Sequence, residues 1–554
     1  MSAPNRTGLV TFESRNVWSK LSLFDAIFYI AGSITKSHCK TLFEKLENKT
    51  STQYKKIVTD WLTSVKGHFA LICELNENIV AATDRISSYQ VFLAQSNSRW
   101  MIGTHAGQLA EAAELDLIDD DGLLSLSMAG YVTGKRSAIK NLSALQAGEV
   151  LIINRENCQR WYYHKFLPTA ACQSEKDKQQ IEHLSELTLS ILDNVKQRTK
   201  GRQIVVPLSA GLDSRLILSG LKHLEAKDVI TFSYGQPNNF EATTAQKIAG
   251  KLGVRWHFVP MSTASQRTFF QSSLYRDYLE YSHDFTATPF QQDLYPVSRL
   301  LSTGVIDKDA VIINGNSGDF ISGGHIPENL FNGQTIAGEM LTDLINSFIK
   351  KHFSLWENRF SPSDYDQIRH MLTSDLTDEG LLNNKNYQGF ILWERLEFLN
   401  RQSKYVISGQ RIYDFLRINW ELPLWSDEYL DFWSQVPLRL KINQNLYRKM
   451  LRRNNWGHVW KDIPVNEKII RPIWLQPLRF AAKVACAPFG RNTWHQIEKR
   501  FFNYWMDPVH NYAILPYYSA LFEKSLARNA ISLHTDAYLD FLNAKISSPL
   551  DKKI

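Results

Sequence analysis

The stretch VVPLSAGLDSR, Val205 to Arg215, decides the reading of this chain. A β-branched run (Ile204, Val205, Val206) ends in a small-residue turn, and an amphipathic stretch with Leu216, Leu218, Leu221 and Leu224 follows. That order predicts a strand, a tight loop and a helix. Ser209, Ala210 and Gly211 are small enough for the backbone to close on a ligand. The helix start aims free N–H groups and the positive end of its dipole at whatever occupies the loop. Ser209 and Ser214 add hydroxyl donors, and Asp213 adds a carboxylate suited to Mg²⁺. The stretch reads as a pyrophosphate-binding loop. It lacks the Gly-Lys-Ser/Thr of a Walker-type phosphate loop.

Working outward, 554 residues are too many for one core and imply two or more domains. A composition of 44% hydrophobic and 21% charged residues is that of a soluble globular enzyme. The apolar stretch AIFYIAGSI, Ala26 to Ile34, is too short and interrupted to span a bilayer. No basic leader precedes it, so a cytoplasmic location is expected. Cys39, Cys73, Cys158, Cys172 and Cys486 are scattered without a CxxC pair, which argues against a disulfide framework or a zinc site. The net charge of +7 suits acidic ligands such as polyphosphates, and no nucleic-acid motif accompanies it.

The first part, residues 1–170, is rich in short β-type runs separated by turn residues, and reads as a sheet-rich domain. A polar segment, Thr169 to Glu182, leads into a helix. From residue 183 strands and helices alternate: Val229 to Ser233, a helix with Ala245, Ile248, Ala249 and Leu252 closed by Gly253, then Trp256 to Val259. This predicts a doubly wound parallel sheet with ligands at the carboxyl ends of its strands. A second Gly-rich turn, NGNSGDFISGG (Asn314 to Gly324), follows the apolar run Ala310 to Ile313 and offers Asp319. Asp213 and Asp319 together suit a Mg²⁺–pyrophosphate complex, since Mg²⁺ is held by one or two carboxylates and the phosphates.

The loop at Ser209 resembles the S-G-G-x-D-S signature of the ATP pyrophosphatases, which activate a carboxylate as an acyl-adenylate. Gly315 to Gly324 is similar at both ends and at Asp319 to the G-E-G-x-D-E-x-x-G-G motif of the asparagine synthetase family. ELPLWSDEYLDFWSQVP (Glu421 to Pro437) resembles that family's P-F-L-D segment, with QNLYRKMLR (Gln444 to Arg452) after it. The likeness covers about 470 residues. It implies an N-terminal Ntn-type αββα sandwich (1–170), an adenine nucleotide α-hydrolase-like domain (183–475) and a helical extension (476–554). It also implies ATP and Mg²⁺, with Leu208, Ser209, Ala210, Gly211, Asp213, Ser214 and Gly315 around the nucleotide and Asp213 and Asp319 on the metal. The family's charge-stabilising lysine has two candidates, Lys468 in IPVNEKIIRP and Lys449.

The chain departs from the family in places. Ala210 stands at the first loop glycine, Asn316 at a glutamate, Phe320 at a second acidic residue, and Glu421 at a common arginine. Asn316 cannot serve as a base. The N-terminal resemblance is to a glutaminase whose first residue is a catalytic cysteine, and here Thr7 of TGLVTF takes that position. The family's oxyanion Asn-Gly pair reads Ala31-Gly32, and losing one such donor costs orders of magnitude in rate. GHFALI (Gly67 to Ile72) and TDRISSYQVFL (Thr83 to Leu93) retain the scaffold.

These features imply an ATP-dependent, AMP-forming amide ligase that does not hydrolyse glutamine. It would use free ammonia, ammonia from a partner protein, or an amine already in the substrate, as in β-lactam synthetase, carbapenam synthetase and lasso-peptide cyclases. A catalytically inactive nucleotide-binding scaffold is the alternative from another class. The retained Ser209, Asp213, Ser214 and Asp319 weigh against it. In the tail, Leu478 to Trp505 interleaves basic and aromatic residues. That suits an interfacial helix on a membrane or lipid-linked substrate, but an amphipathic helix packed on the core is the simpler expectation.

Overall fold

A computed structural model describes residues 9–12, 17–96, 99–154, 157–169, 177–336, 338–383, 387–465 and 470–547. Ten strands build its N-terminal part: β1 (Leu9–Thr11), β2 (Trp18–Leu23), β3 (Ala26–Gly32), β4 (Phe69–Leu75), β5 (Asn78–Thr83), β6 (Phe92–Ser96), β7 (Arg99–Gly103), β8 (Leu142–Ala144), β9 (Glu149–Ile153) and β10 (Cys158–Tyr162). They form a six-stranded antiparallel sheet, β10-β9-β5-β4-β3-β2, and a four-stranded sheet, β1-β7-β6-β8. Side chains alternate across each strand, so both faces must be covered. Phe28, Leu71, Cys73 and Val80 pack beneath the helices Lys36–Leu46 and Ser51–Ser64. Tyr29, Ala31, Ala70 and Ile72 face Leu93 and Ile102 of the second sheet. Phe92, Ala94 and Met101 lie under the helices Ala106–Ala112 and Asp120–Ala129, joined by Tyr538 and Leu542 of the last helix, Ala530–Ser547. The layers are helix, sheet, sheet, helix. Each fully buried large apolar side chain contributes about 1.5–3 kcal/mol to holding them together.

The second sheet system contains β11 (Ile204–Pro207), β12 (Val229–Gly235), β13 (Arg255–Pro260) and β14 (Val311–Ile313). After the two-residue β15 (Trp356–Glu357) comes β16 (Asn419–Glu421), and β15 pairs with β17 (Leu526–Ala527) in a separate ribbon. The five-stranded sheet is wholly parallel in the order β13-β12-β11-β14-β16. Both its faces are buried: Ile204, Val206 and Ile313 point into one core, Val205 and Ile312 into another. The chain moves outward from β11 in both directions, so the topological switch lies between β11 and β14. Ligands of such sheets bind at that crevice, outside the carboxyl ends.

A helical lobe follows, with the helices Glu339–His352, Pro362–Asp378 and Gly389–Glu397 around Phe348, Met371 and Trp393. The N-terminal part docks on the parallel-sheet part through polar anchors. Arg85 pairs with Asp427 at 3.3 Å and with Asp431 at 2.7 Å, and the Gly67 N–H donates to Asp427 at 3.2 Å. No helix among the described residues is long and apolar enough to cross a membrane.

Candidate nucleotide site

The predicted strand, loop and helix are present: β11 ends at Pro207, and the helix Asp213–His223 begins six residues later. Hydroxyls hold the loop in shape. The Ser209 N–H donates to Ser214 Oγ at 3.1 Å, the Gly211 N–H donates to Ser209 Oγ at 3.1 Å, and the two hydroxyls lie 3.1 Å apart. From behind, the buried Arg215 guanidinium ties the loop to a distant segment. It donates to the carbonyls of Ala210 (2.6 Å), Ile463 (2.9 Å), Pro464 (3.0 Å) and Val459 (3.2 Å). Burial lowers its pKa to about 10, so it remains charged at neutral pH.

Loops from both sides of the switch point enclose a cavity of about 560 Å³, within the range of small-molecule sites. Leu208, Ser209, Gly211, Asp213, Ser214 and Gly315 line it, as do Asn316, Ser317 and Asp319. Ala210 does not; its methyl is buried, and its carbonyl belongs to Arg215. Phe232 and Phe290 give the cavity an apolar side. At its polar side the Asp293 carboxylate accepts from Tyr234 (2.7 Å) and Tyr413 (2.6 Å), and Asn314 donates to Tyr413 at 3.0 Å.

The two predicted aspartates are neighbours at the cavity. The Asp319 N–H donates to Asp213 Oδ2 at 3.0 Å, and the Tyr447 hydroxyl donates to Asp213 Oδ1 at 3.0 Å. Only a glycine fits at 318, because a Cβ there would lie 2.6 Å from the Asp213 carboxyl carbon. Burial and then the Asp319 charge raise the Asp213 pKa, while Tyr447 opposes the rise. Asp319 is lowered instead: burial works against its charge, but His325, bonded to it at 3.0 Å, prevails. His325 also bonds the buried Glu397. Burial tends to lower the His325 pKa, but Glu397 and Asp319 raise it to about 9, so it carries a positive charge at neutral pH. Among the described residues no group of three or more His, Cys, Asp or Glu side chains forms a metal cage. Two carboxylates lining one cavity, Asp213 and Asp319, still fit Mg²⁺ that takes its remaining ligands from phosphate and water.

The lysines divide. Lys449 does not reach the cavity: it is half exposed and pairs with Asp177 at 3.5 Å on the outer side of the helix Asn445–Asn454. Its neighbour Arg448 lines the cavity. Helical spacing carries the reason, because Leu446, Tyr447, Met450 and Leu451 are buried and leave position 449 outside. Lys468 lies outside the described residues, as does Thr7. Val465 lines the cavity, and Arg471 donates to the Asn238 carbonyl at 3.3 Å.

The departures from the family pattern acquire structural roles. Phe320 is fully buried, stacked with Trp425 at 6.1 Å, and so belongs to the core. Glu421 forms a two-bond pair with Arg198, at 3.0 and 2.8 Å, and does not line the cavity. The sequence reading missed Tyr447, Arg215 and the His325–Glu397 pair, as well as Pro508 and Val509, which wall the cavity from the far end of the chain. Tyr447 had a signal, being on the buried stripe of its helix. The pairing of residues 325 and 397 had none.

A crevice at the switch point of a doubly wound parallel sheet, with a hydroxyl-braced loop and paired carboxylates, defines a nucleotide-binding α/β domain. The asparagine synthase family model matches residues 186–463, just over half of the chain, and the chain belongs to that family. Among curated proteins, the 7-cyano-7-deazaguanine synthase of Staphylococcus saprophyticus subsp. saprophyticus is 36% identical over 74 residues, 13% of this chain and 33% of the relative. That of Bacillus subtilis is 38% identical over 68 residues, 12% and 31% of the two chains. The chain thus spans about a third of the length of these relatives. Two solved structures are also similar. The allosteric regulatory enzyme of purine biosynthesis is 12% identical with a TM-score of 0.18, covering 53% of this chain and 55% of that one. The glutamine phosphoribosylpyrophosphate amidotransferase from B. subtilis, complexed with ADP and GMP, is 11% identical with a TM-score of 0.19, covering 53% and 62%.

Proposed function

We propose that the chain adenylates a carboxylate with ATP, releases pyrophosphate, and forms an amide by attack of ammonia or an amine, without hydrolysing glutamine itself. The observation that carries this is the meeting of Asp213 and Asp319 beside the Ser209–Ser214 loop. In this reading the Ser209 and Ser214 hydroxyls and the helix N-terminus at Asp213 bind the departing pyrophosphate. Asp213 and Asp319 hold Mg²⁺, which when bound neutralises phosphate charge. Tyr447 orients the Asp213 carboxylate, and His325, itself held by Glu397, does the same for Asp319. Arg448, on the cavity wall, and Lys468 are the candidates for balancing charge that builds up on the reacting groups.

Loss of glutamine hydrolysis is supported by Ala31, which is buried between the two sheets and carries no side-chain donor. Gly32 is retained with φ +72°, and a Cβ there would lie 2.0 Å from the His68 carbonyl oxygen. Its presence therefore follows from packing alone. The lost glutaminase residues are compatible with an attacking amine that already belongs to the substrate, while Asn316, with no base to offer either ammonia or an amine, does not separate the two sub-readings.

Exchange of labelled pyrophosphate into ATP, screened over carboxylates beginning with aspartate, tests the proposal. Exchange that depends on one carboxylate and vanishes in Asp213→Ala is the expected result. ATP binding with no exchange for any aspartate, uronic acid, β-amino acid or peptide carboxylate would favour the inactive scaffold.

A further inference from the structure

The helix Leu475–Cys486 is apolar on both its inner and outer sides. Leu475 and Cys486 are buried with Trp494 and Phe502. The opposite side carries Phe480, Ala481 and Val484, with Leu478 and Ala485 on its flank, all exposed. Ile473 and Trp474 precede it, and Phe489 follows in the next turn. The six large side chains of this face, Ile473, Trp474, Leu478, Phe480, Val484 and Phe489, are 54 to 72% exposed. A surface helix in water turns a polar face outward, and apolar side chains gathered in one exposed patch mark an interaction site.

Charge narrows the partner. From Ile470 to Ile497 the chain has no Asp or Glu, while Arg471, Arg479, Lys483 and Arg491 are spread along it. Arg479 is turned inward, bonded to Glu498 at 2.7 Å and set over the Trp494 ring at 5.1 Å. Lys483 and Arg491 are exposed beside the apolar side chains. A second copy meeting this face through a two-fold axis would set like charges against each other. Apolar side chains with Trp and Phe among them, edged by basic residues, match the plane of an anionic bilayer surface. At twelve residues the helix is too short to span one.

We propose that residues 473–491 lie on an anionic membrane, with Leu478, Phe480, Val484 and Phe489 at the acyl boundary and Lys483 and Arg491 among the lipid phosphates. Trp474 packs edge-on against Trp505 at 6.1 Å. That contact fixes the face to the segment that continues to Pro508 and Val509 in the cavity wall.

Flotation of the full chain with phosphatidylcholine vesicles, with and without phosphatidylglycerol, at low and high salt, tests this. The chain is expected to float with phosphatidylglycerol vesicles and to be released by salt. In the combined variant Phe480→Ser, Val484→Ser, Phe489→Ser, partitioning falls about tenfold or more while the melting temperature is kept. In Lys483→Glu with Arg491→Glu, the preference for anionic lipid is lost. No flotation of the wild type with either vesicle, or flotation unchanged in both variants, overturns the proposal. A dimer in sedimentation that the triple variant dissolves, without lipid binding, also overturns it and assigns the face to a second copy.

Discussion

The N-terminal sandwich and the parallel-sheet domain treat their strand ends in opposite ways. At β11 and β14 the chain leaves the sheet in loops whose polar groups converge on a cavity, and Asp213, Asp319, Ser209 and Ser214 keep hydrogen-bonding capacity facing it. In the sandwich, the corresponding special residues are absorbed by packing. Ala31 is closed between the sheets, and Gly32 sits beneath the His68 carbonyl. Arg85 is committed to Asp427 and Asp431, while Tyr89 and His68 pack with tilted rings against Trp420 of β16 at 5.5 and 5.6 Å. The parallel-sheet domain is arranged around a cavity, and the N-terminal sandwich is arranged to pack against the parallel-sheet domain. A motif carries chemistry only where its polar groups are left with something to do.

The largest effect should come from the carboxylate at the centre of the cavity. Asp213→Ala is expected to lower ATP-dependent pyrophosphate release by about a thousandfold, read from labelled ATP, with the melting temperature little changed or raised. A substantial residual rate would mean that Asp319 alone organises the phosphates. On the other side of the comparison, Arg85→Ala should leave two carboxylates at the domain contact without their partner. A loss of about 2–4 kcal/mol is expected in denaturant unfolding. A negligible loss would show that the domains are held by apolar packing alone.

Tyr447→Phe is a smaller intervention within the cavity. It removes one hydrogen bond to a carboxylate, and turnover should fall about tenfold. The Asp213 pKa should rise further, moving the acid limb of the pH–rate profile to higher pH. An unshifted limb would separate Asp213 from the titration that controls the rate. Smallest of all is Lys449→Ala, which breaks a half-exposed ion pair with Asp177. It should change stability by no more than about 0.5 kcal/mol and leave turnover alone, whereas Arg448→Ala should impair it.

The contrast between the domains was only partly legible in the sequence. The Val205–Arg215 stretch could be read because its function is local: strand, turn, hydroxyls and carboxylate follow one another along the chain. Asp319 could be read for the same reason. Which cation of the helix Asn445–Asn454 borders the cavity was not legible, because its buried stripe (Leu446, Tyr447, Met450, Leu451) leaves both Arg448 and Lys449 exposed and only the fold sets Arg448 on the cavity side. The His325–Glu397 pair and the reach of Arg215 to Val459 and Ile463 are long-range contacts, set by how the helical lobe and the segment after Asn454 fold back. The tail's basic and aromatic alternation was visible, but which side chains face outward was decided by tertiary packing at Leu475 and Cys486.

The measurement that tests the central contrast most directly is glutamate release from labelled glutamine by the full chain, made beside AMP formation from Mg·ATP in the same preparation with ammonium and the carboxylate identified by exchange. The account predicts AMP and amide formation with ammonium or an amine, abolished in Asp213→Ala, and no glutamate above the level without enzyme. Glutamate release coupled to AMP formation would contradict it, because the N-terminal sandwich would then hold a working nucleophile.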